Sequence, residues 1–180
     1  MIKIIKILCL IFTLSISSCS KDEEKLSNGK VINGNNEYEL NYAYLSHFDN
    51  EFGTFQVHLS SDKITFENGQ RIFSDNATTT VELAFSNEQN FNQGISNYYP
   101  LFAGENGQTI YEPPFLVGAA INFELKKVGE IWESKERYYF WTDGSTTIVE
   151  DNDGYRLDFT LIKGDKIITG RYKGLIQIVD

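Results

Sequence analysis

Few groups in this chain have the chemistry for a reaction. His47 and His58 are its two histidines, and neither has a second imidazole two residues along a strand or four along a helix, the spacings that would put two on one metal ion. His58 falls on the polar side of an alternating segment, which predicts a solvent-facing side chain with no ligand or base role. The run Glu150, Asp151, Asn152, Asp153, Gly154 has the composition of a calcium loop. Setting Gly154 at the loop glycine, however, puts Val149 at the first ligand and Thr160 at the bidentate glutamate, so it reads as a hairpin turn. No Gly-x-Ser-x-Gly elbow and no glycine-rich phosphate loop occurs. No metal and no cofactor is expected.

With twenty-five Asp and Glu, carboxylate pairs will meet somewhere. A glycosidase needs two of them roughly 5 to 9.5 Å apart in a cleft, and a hydrolase of that kind, acting on glycans, is one alternative the composition leaves open. A second is a lipocalin-like barrel carrying a small apolar ligand. The aromatic residues carry more weight. Tyr98, Tyr99, Tyr111, Trp132, Tyr139 and Trp141 gather in one part of the chain, near Pro100, Pro113 and Pro114. In the run from Tyr138 to Trp141, alternation sends Tyr138 and Phe140 to one face and Tyr139 and Trp141 to the other. Either both faces are covered, or one is an exposed platform for sugar rings or a protein partner. These six residues are the candidate ligand contacts.

Period-two alternation must position them, because turn pairs punctuate the chain and no helical periodicity competes. Tyr38, Leu40, Tyr42 and Tyr44 share a face; Phe55, Val57 and Leu59 share another, after a connection around Asp49 to Gly53. Val81, Leu83 and Phe85 form a third set, and the alternation from Phe115 to Leu125 is the longest. Tyr155, Leu157, Phe159 and Leu161 oppose Arg156, Asp158 and Thr160. Turns at Asp143–Gly144, Asp153–Gly154 and Gly164–Asp165 predict a closing meander. On its last strand, Ile168, Gly170, Tyr172, Gly174, Ile176 and Ile178 share one face, and glycine on an apolar face implies a bulge or a large ring packed above it. The expected fold is all-β: one antiparallel β-sandwich, or a closed β-barrel, of about nine or ten strands ending in a C-terminal meander.

Two cysteines occur, Cys9 and Cys19. Lys3 and Lys6 precede an apolar run from Ile7 to Ile16, which is the order of a secretory signal peptide and too short for the roughly 20 apolar residues of a membrane span. Ile16, Ser17, Ser18 and Cys19 then resemble the lipobox of bacterial lipoproteins. The resemblance implies cleavage between Ser18 and Cys19 and a diacylglyceryl group on the Cys19 sulfur, with enough acyl methylenes, at about 0.8 kcal/mol each, for a stable anchor. Ser20, Lys21, Asp22, Glu23 and Glu24 are similar to the acidic export signal of surface lipoproteins of the Bacteroidota. That resemblance implies a place at the outer membrane with display at the surface, and a plain charged, soluble spacer is the other reading. Residues 146–179 also resemble the closing meander of small Bacteroidota lipoproteins, a likeness that implies no activity.

The expected organisation is a signal peptide over 1–18, a lipidated and polar tether over 19–36, and one all-β domain over 37–180. Loss of the leader removes two lysines and no acid, leaving fourteen cations against twenty-five acids, a net charge of −11 where the whole chain has −9. Such a charge disfavours nucleic acid as a partner. With Cys9 cleaved off and Cys19 lipidated, no thiol remains for disulfides, metal ligation or nucleophilic catalysis. The sequence therefore points to a lipid-anchored, non-catalytic binding or structural module, with a protein or a glycan as its partner.

Overall fold

The computed structural model describes residues 28–47, 54–67, 70–86, 97–100, 115–140, 143–152 and 154–179, with backbone alone for 97–100 and 115. Among the described residues every regular element is a β-strand. The first half holds β1 (Asn28–Asn33), β2 (Asn36–Leu40), β3 (Tyr42–His47), β4 (Thr54–Ser60), β5 (Ile64–Glu67), β6 (Gln70–Phe73) and β7 (Thr79–Ser86). The second half holds β8 (Asn97–Pro100), β9 (Phe115–Val128), β10 (Ile131–Phe140), β11 (Asp143–Asp151), β12 (Gly154–Lys163), β13 (Lys166–Gly174) and β14 (Gln177–Val179).

Two six-stranded sheets carry most of the chain. One, here sheet A, has the order β2-β1-β13-β12-β11-β8, and the other, sheet B, the order β10-β9-β7-β4-β3-β14. The pair β5-β6 stands apart as a small hairpin. Alternation explains why the two sheets meet. Val31, Ile148, Leu157, Leu161 and Ile168 from sheet A join Leu45, Val57, Leu59, Leu83 and Ile121 from sheet B in one buried cluster, with Phe85, Phe123, Phe140 and Tyr172 among its largest members. Each such side chain contributes about 1.5–3 kcal/mol through burial. The arrangement is sandwich-like. The closed-barrel alternative is not met, since β2, β8, β10 and β14 each end a sheet with one neighbour.

The strand count rises from the expected nine or ten to fourteen among the described residues, because short strands escape a periodicity test. Tyr38 to Tyr44 is not one strand: Asn41 hands the chain from sheet A to sheet B, its N–H donating to the Ser60 carbonyl (2.8 Å) and its side-chain amide to the Ser61 carbonyl (3.1 Å). The expected tether is also too long. β1 lies inside it, paired with β2 on one side and β13 on the other, and Val31 is fully buried; the signal peptide, Cys19 and the start of the tether lie outside the described residues.

The C-terminal region is partly as expected. Hairpins join β11 to β12 and β12 to β13, and Gly164 takes a positive φ of 59° at the second of these turns. Asp143–Gly144 is no hairpin turn, since both residues belong to β11, and β10 before them is in the other sheet. Nor is the last strand continuous. Tyr172 Oη donates to the Leu175 carbonyl at 2.7 Å where the chain leaves β13, and β14 then pairs in parallel with β3 in sheet B, so the fold is not wholly antiparallel. The glycine inference is met: a Cβ on Gly170 would run into the Phe159 ring.

Candidate functional site

The expected aromatic constellation is divided between two sheets. Tyr98 and Tyr99 lie on edge strand β8, paired with Thr147 and Thr146 of sheet A. Trp132 and Tyr139 lie on β10, the edge of sheet B. Trp132 packs edge-on against Phe73 with centroids 5.6 Å apart, which fixes it to the β5-β6 hairpin rather than to a ligand. Tyr139 is 37% exposed, and the Arg137 guanidinium sits 4.8 Å from its ring centroid. Phe140 is buried and Tyr138 packs on the core, as alternation requires. Tyr111 and Trp141 lie outside the described residues.

Sheet B keeps a polar cluster under that hairpin. Tyr44, His58, Glu82, Ala120 and Tyr139 form one register row across β3, β4, β7, β9 and β10. The hairpin covers its first part. The Tyr44 hydroxyl accepts the Ile64 N–H at 3.0 Å, and the Phe66 ring lies over both Tyr44 (5.4 Å) and His58 (5.6 Å). His58, expected at the surface, is thus only 3% exposed. Burial first, and the neighbouring Arg71 cation second, push its pKa down to about 3, so the ring is neutral.

The partners of His58 decide what Ser46 can do. Arg71 Nη1 lies 3.3 Å from Nδ1 and also pairs with Glu82 Oε1 at 2.5 Å. A guanidinium only donates, so Nδ1 accepts and the proton of the neutral ring is on Nε2. That N–H points to Ser46 Oγ, 2.9 Å away. Ser46 therefore accepts from the histidine and cannot give up its own proton to it, the reverse of a Ser–His nucleophile pair. Among the described residues, no three His, Cys, Asp or Glu side chains converge as a metal would require.

An accessible polar surface lies on sheet A, on the face turned away from the core. Register places Ile32, Thr169, Thr160 and Ser145 in one row and Lys30, Arg171, Asp158 and Thr147 in the next, across β1, β13, β12 and β11. Position 98 on β8 continues the second row. The two rows line an open groove of about 540 Å³, inside the range of roughly 300–1,000 Å³ typical of small-ligand sites. A second groove of about 970 Å³ adjoins it, reached past Arg156, Lys173 and Glu39.

Most charges on this face are paired. Lys30 meets Glu37 at 2.7 Å, Arg156 meets Asp158 at 3.2 Å and Lys173 meets Asp151 at 2.8 Å; the Lys173 hydrogen bond, above all, holds the Asp151 carboxyl below the usual carboxylate range. Arg171 lines both grooves, yet no hydrogen bond or ion pair engages it among the described residues. Sequence reading had Thr160 and Asp158 on the polar side of β12 but gave no sign that Lys30 and Arg171 would stand beside them. The signal is a register, and register joins segments 141 positions apart, as in the Lys30–Arg171 pair. No protein-family model, curated protein or solved structure matches the chain.

Proposed function

We propose that this chain is a lipid-anchored protein of the bacterial outer membrane, tethered through Cys19, whose β-sandwich domain is a non-catalytic binding module. The carrying observation is the outer face of sheet A: four interior strands present a groove floored by Thr147, Thr160, Thr169, Lys30 and Arg171. Such a floor is rigid, since each of those strands is held on both edges, and rigid concave surfaces with a few convergent polar groups suit recognition. The non-catalytic reading draws support from His58, which donates to Ser46 rather than activating it. Lipidation accounts for Cys19, and the acidic residues after it suit display at the cell surface.

Two measurements test the two halves. Cells fed radiolabelled palmitate should label the wild-type chain and not a Cys19→Ser variant; an unlabelled wild type ends the anchoring reading. The full chain in detergent micelles should respond to a panel of glycans and peptides in a thermal-shift screen, with amide shift changes on β11, β12 and β13 for any ligand that binds. A Tyr139→Ala variant should respond as the wild type does, because Tyr139 lies on the other sheet. Changes centred on Tyr139 and Trp132 instead would move the site to sheet B.

A further inference from the structure

We propose that the sheet A groove binds an acidic oligosaccharide, a uronate-type chain whose ring carboxylate pairs with Arg171 while its hydroxyls meet the threonine row. The proposal rests on the reading of this face as a binding surface and names its ligand class. The starting point is charge. In a chain with an excess of acids, Arg171 is a groove-floor cation with no partner among the described residues, while Lys30, beside it in register, is already tied to Glu37. A guanidinium left uncommitted in a concave site favours a planar carboxylate, which it can grip with two parallel N–H donors. Asp158 flanks Arg171 in register on the other side and is itself held by Arg156. That flank tolerates a monoanion better than a phosphate dianion.

The neighbours of Arg171 determine the rest of the ligand. Thr169 stands two residues along β13 on the same face, with Thr160 and then Ser145 across the ladder. Register partners place their Cβ atoms about 5 Å apart, a spacing that suits hydroxyls on alternate carbons of a sugar ring. Ile32 stands in that row between Thr169 and Glu37, whose carboxylate is tied to Lys30, and offers an apolar contact to ring C–H groups. An acidic peptide fits less well. β1, β13, β12 and β11 are all interior strands with neighbours on both sides, so no free backbone edge exists here onto which an extended peptide could add as a strand.

The test uses the full chain in detergent micelles and isothermal titration with oligogalacturonate. Three comparisons accompany it: the same oligomer with its carboxyls methyl-esterified, polyglutamate, and rising salt. The acid form should bind, the ester should bind at least tenfold more weakly, and affinity should fall as salt screens the Arg171 contact. Arg171→Gln should lose at least tenfold for the acid form and nothing further for the ester, while Arg171→Lys keeps an intermediate affinity. Because residue 171 is exposed, both variants should retain the wild-type melting temperature, and Arg171→Lys carries the test if Arg171→Gln does not fold. Equal binding of acid and ester, an unaffected Arg171→Gln, or polyglutamate binding as well as the uronate would each overturn the uronate assignment. Those outcomes leave the binding face standing. No heat and no amide shift with any of the three ligands would remove both readings together.

Discussion

His58 shows how one side chain can be misjudged by its strand face and then govern the pH response. Its folded pKa is about 3, against an ordinary value of 6.5. Between those two values the unfolded chain takes up a proton that the folded chain refuses. Stability from this group is therefore complete above pH 6.5, declines by about 1.4 kcal/mol for each unit below it, and declines no further under pH 3. A His58→Gln variant lacks that term. Urea titrations at pH 7 and pH 4.5 should show the wild type losing about 2.5 kcal/mol more than the variant over that interval; parallel losses would mean that the ring is not buried neutral. Gly170 makes the complementary case for shape. With the Phe159 ring where a Cβ would go and Phe159 only 3% exposed, Gly170→Ala should cost about 1–3 kcal/mol by overpacking, read as a lower urea midpoint at unchanged slope.

At the scale of elements, the β5-β6 hairpin is a cover held on sheet B by a few side chains. The Arg71–Glu82 pair is one of its fastenings, with Arg71 33% and Glu82 18% exposed at the side chain. Arg71→Met leaves the Glu82 carboxylate and His58 Nδ1 without their donor. Partial exposure moderates the penalty, so the variant should lose about 1–2 kcal/mol. A Glu82→Gln change in the same chain should recover part of it, and a double-mutant cycle measures the coupling; zero coupling would show that the pair does not secure the hairpin. This element also marks where the sequence stops being legible. Strands β4, β7, β9, β12 and β13 were readable because five or more residues alternate in each. Four-residue strands such as Ile64–Glu67 and Gln70–Phe73 carry too short a period to register. Without that hairpin, nothing in the sequence could show that His58 has a roof. The polar stretch Asn28 to Asn36 likewise reads as tether until β13 is known to pair with it, since its burial comes from Val31, Asn33 and a glycine rather than from an apolar run. The six aromatic candidates were legible as residues, but their division between β8 and β10 depends on which sheet each edge strand joins.

At the scale of the whole molecule, the first described strand joins sheet A and the last joins sheet B. β1 pairs with β13 from Asn28–Lys173 to Asn33–Ile168, and β3 pairs with β14. Neither sheet is complete until the final residues are in place, and loop closure over such separations makes a fold of this class slow, on the order of milliseconds to seconds. The dependence is unequal in the two sheets. Ending the chain after Lys163 removes β13 and strands β1 and β2 away from β12, exposing Val31, Leu157 and Leu161, all fully buried in the intact domain. The lost burial of about 1.5–3 kcal/mol for each of these side chains, added to that of Ile168 and Tyr172, is as large as the roughly 5–15 kcal/mol that a domain has in reserve. That truncation should give no cooperative urea transition and no dispersed amide spectrum. Ending it after Gly174 removes only β14, with three register pairs to β3, and should keep a sharp transition at a reduced midpoint. A cooperative transition in the shorter chain would mean that sheet B and the remaining hairpin fold alone, and that sheet A is an addition to the core rather than half of it.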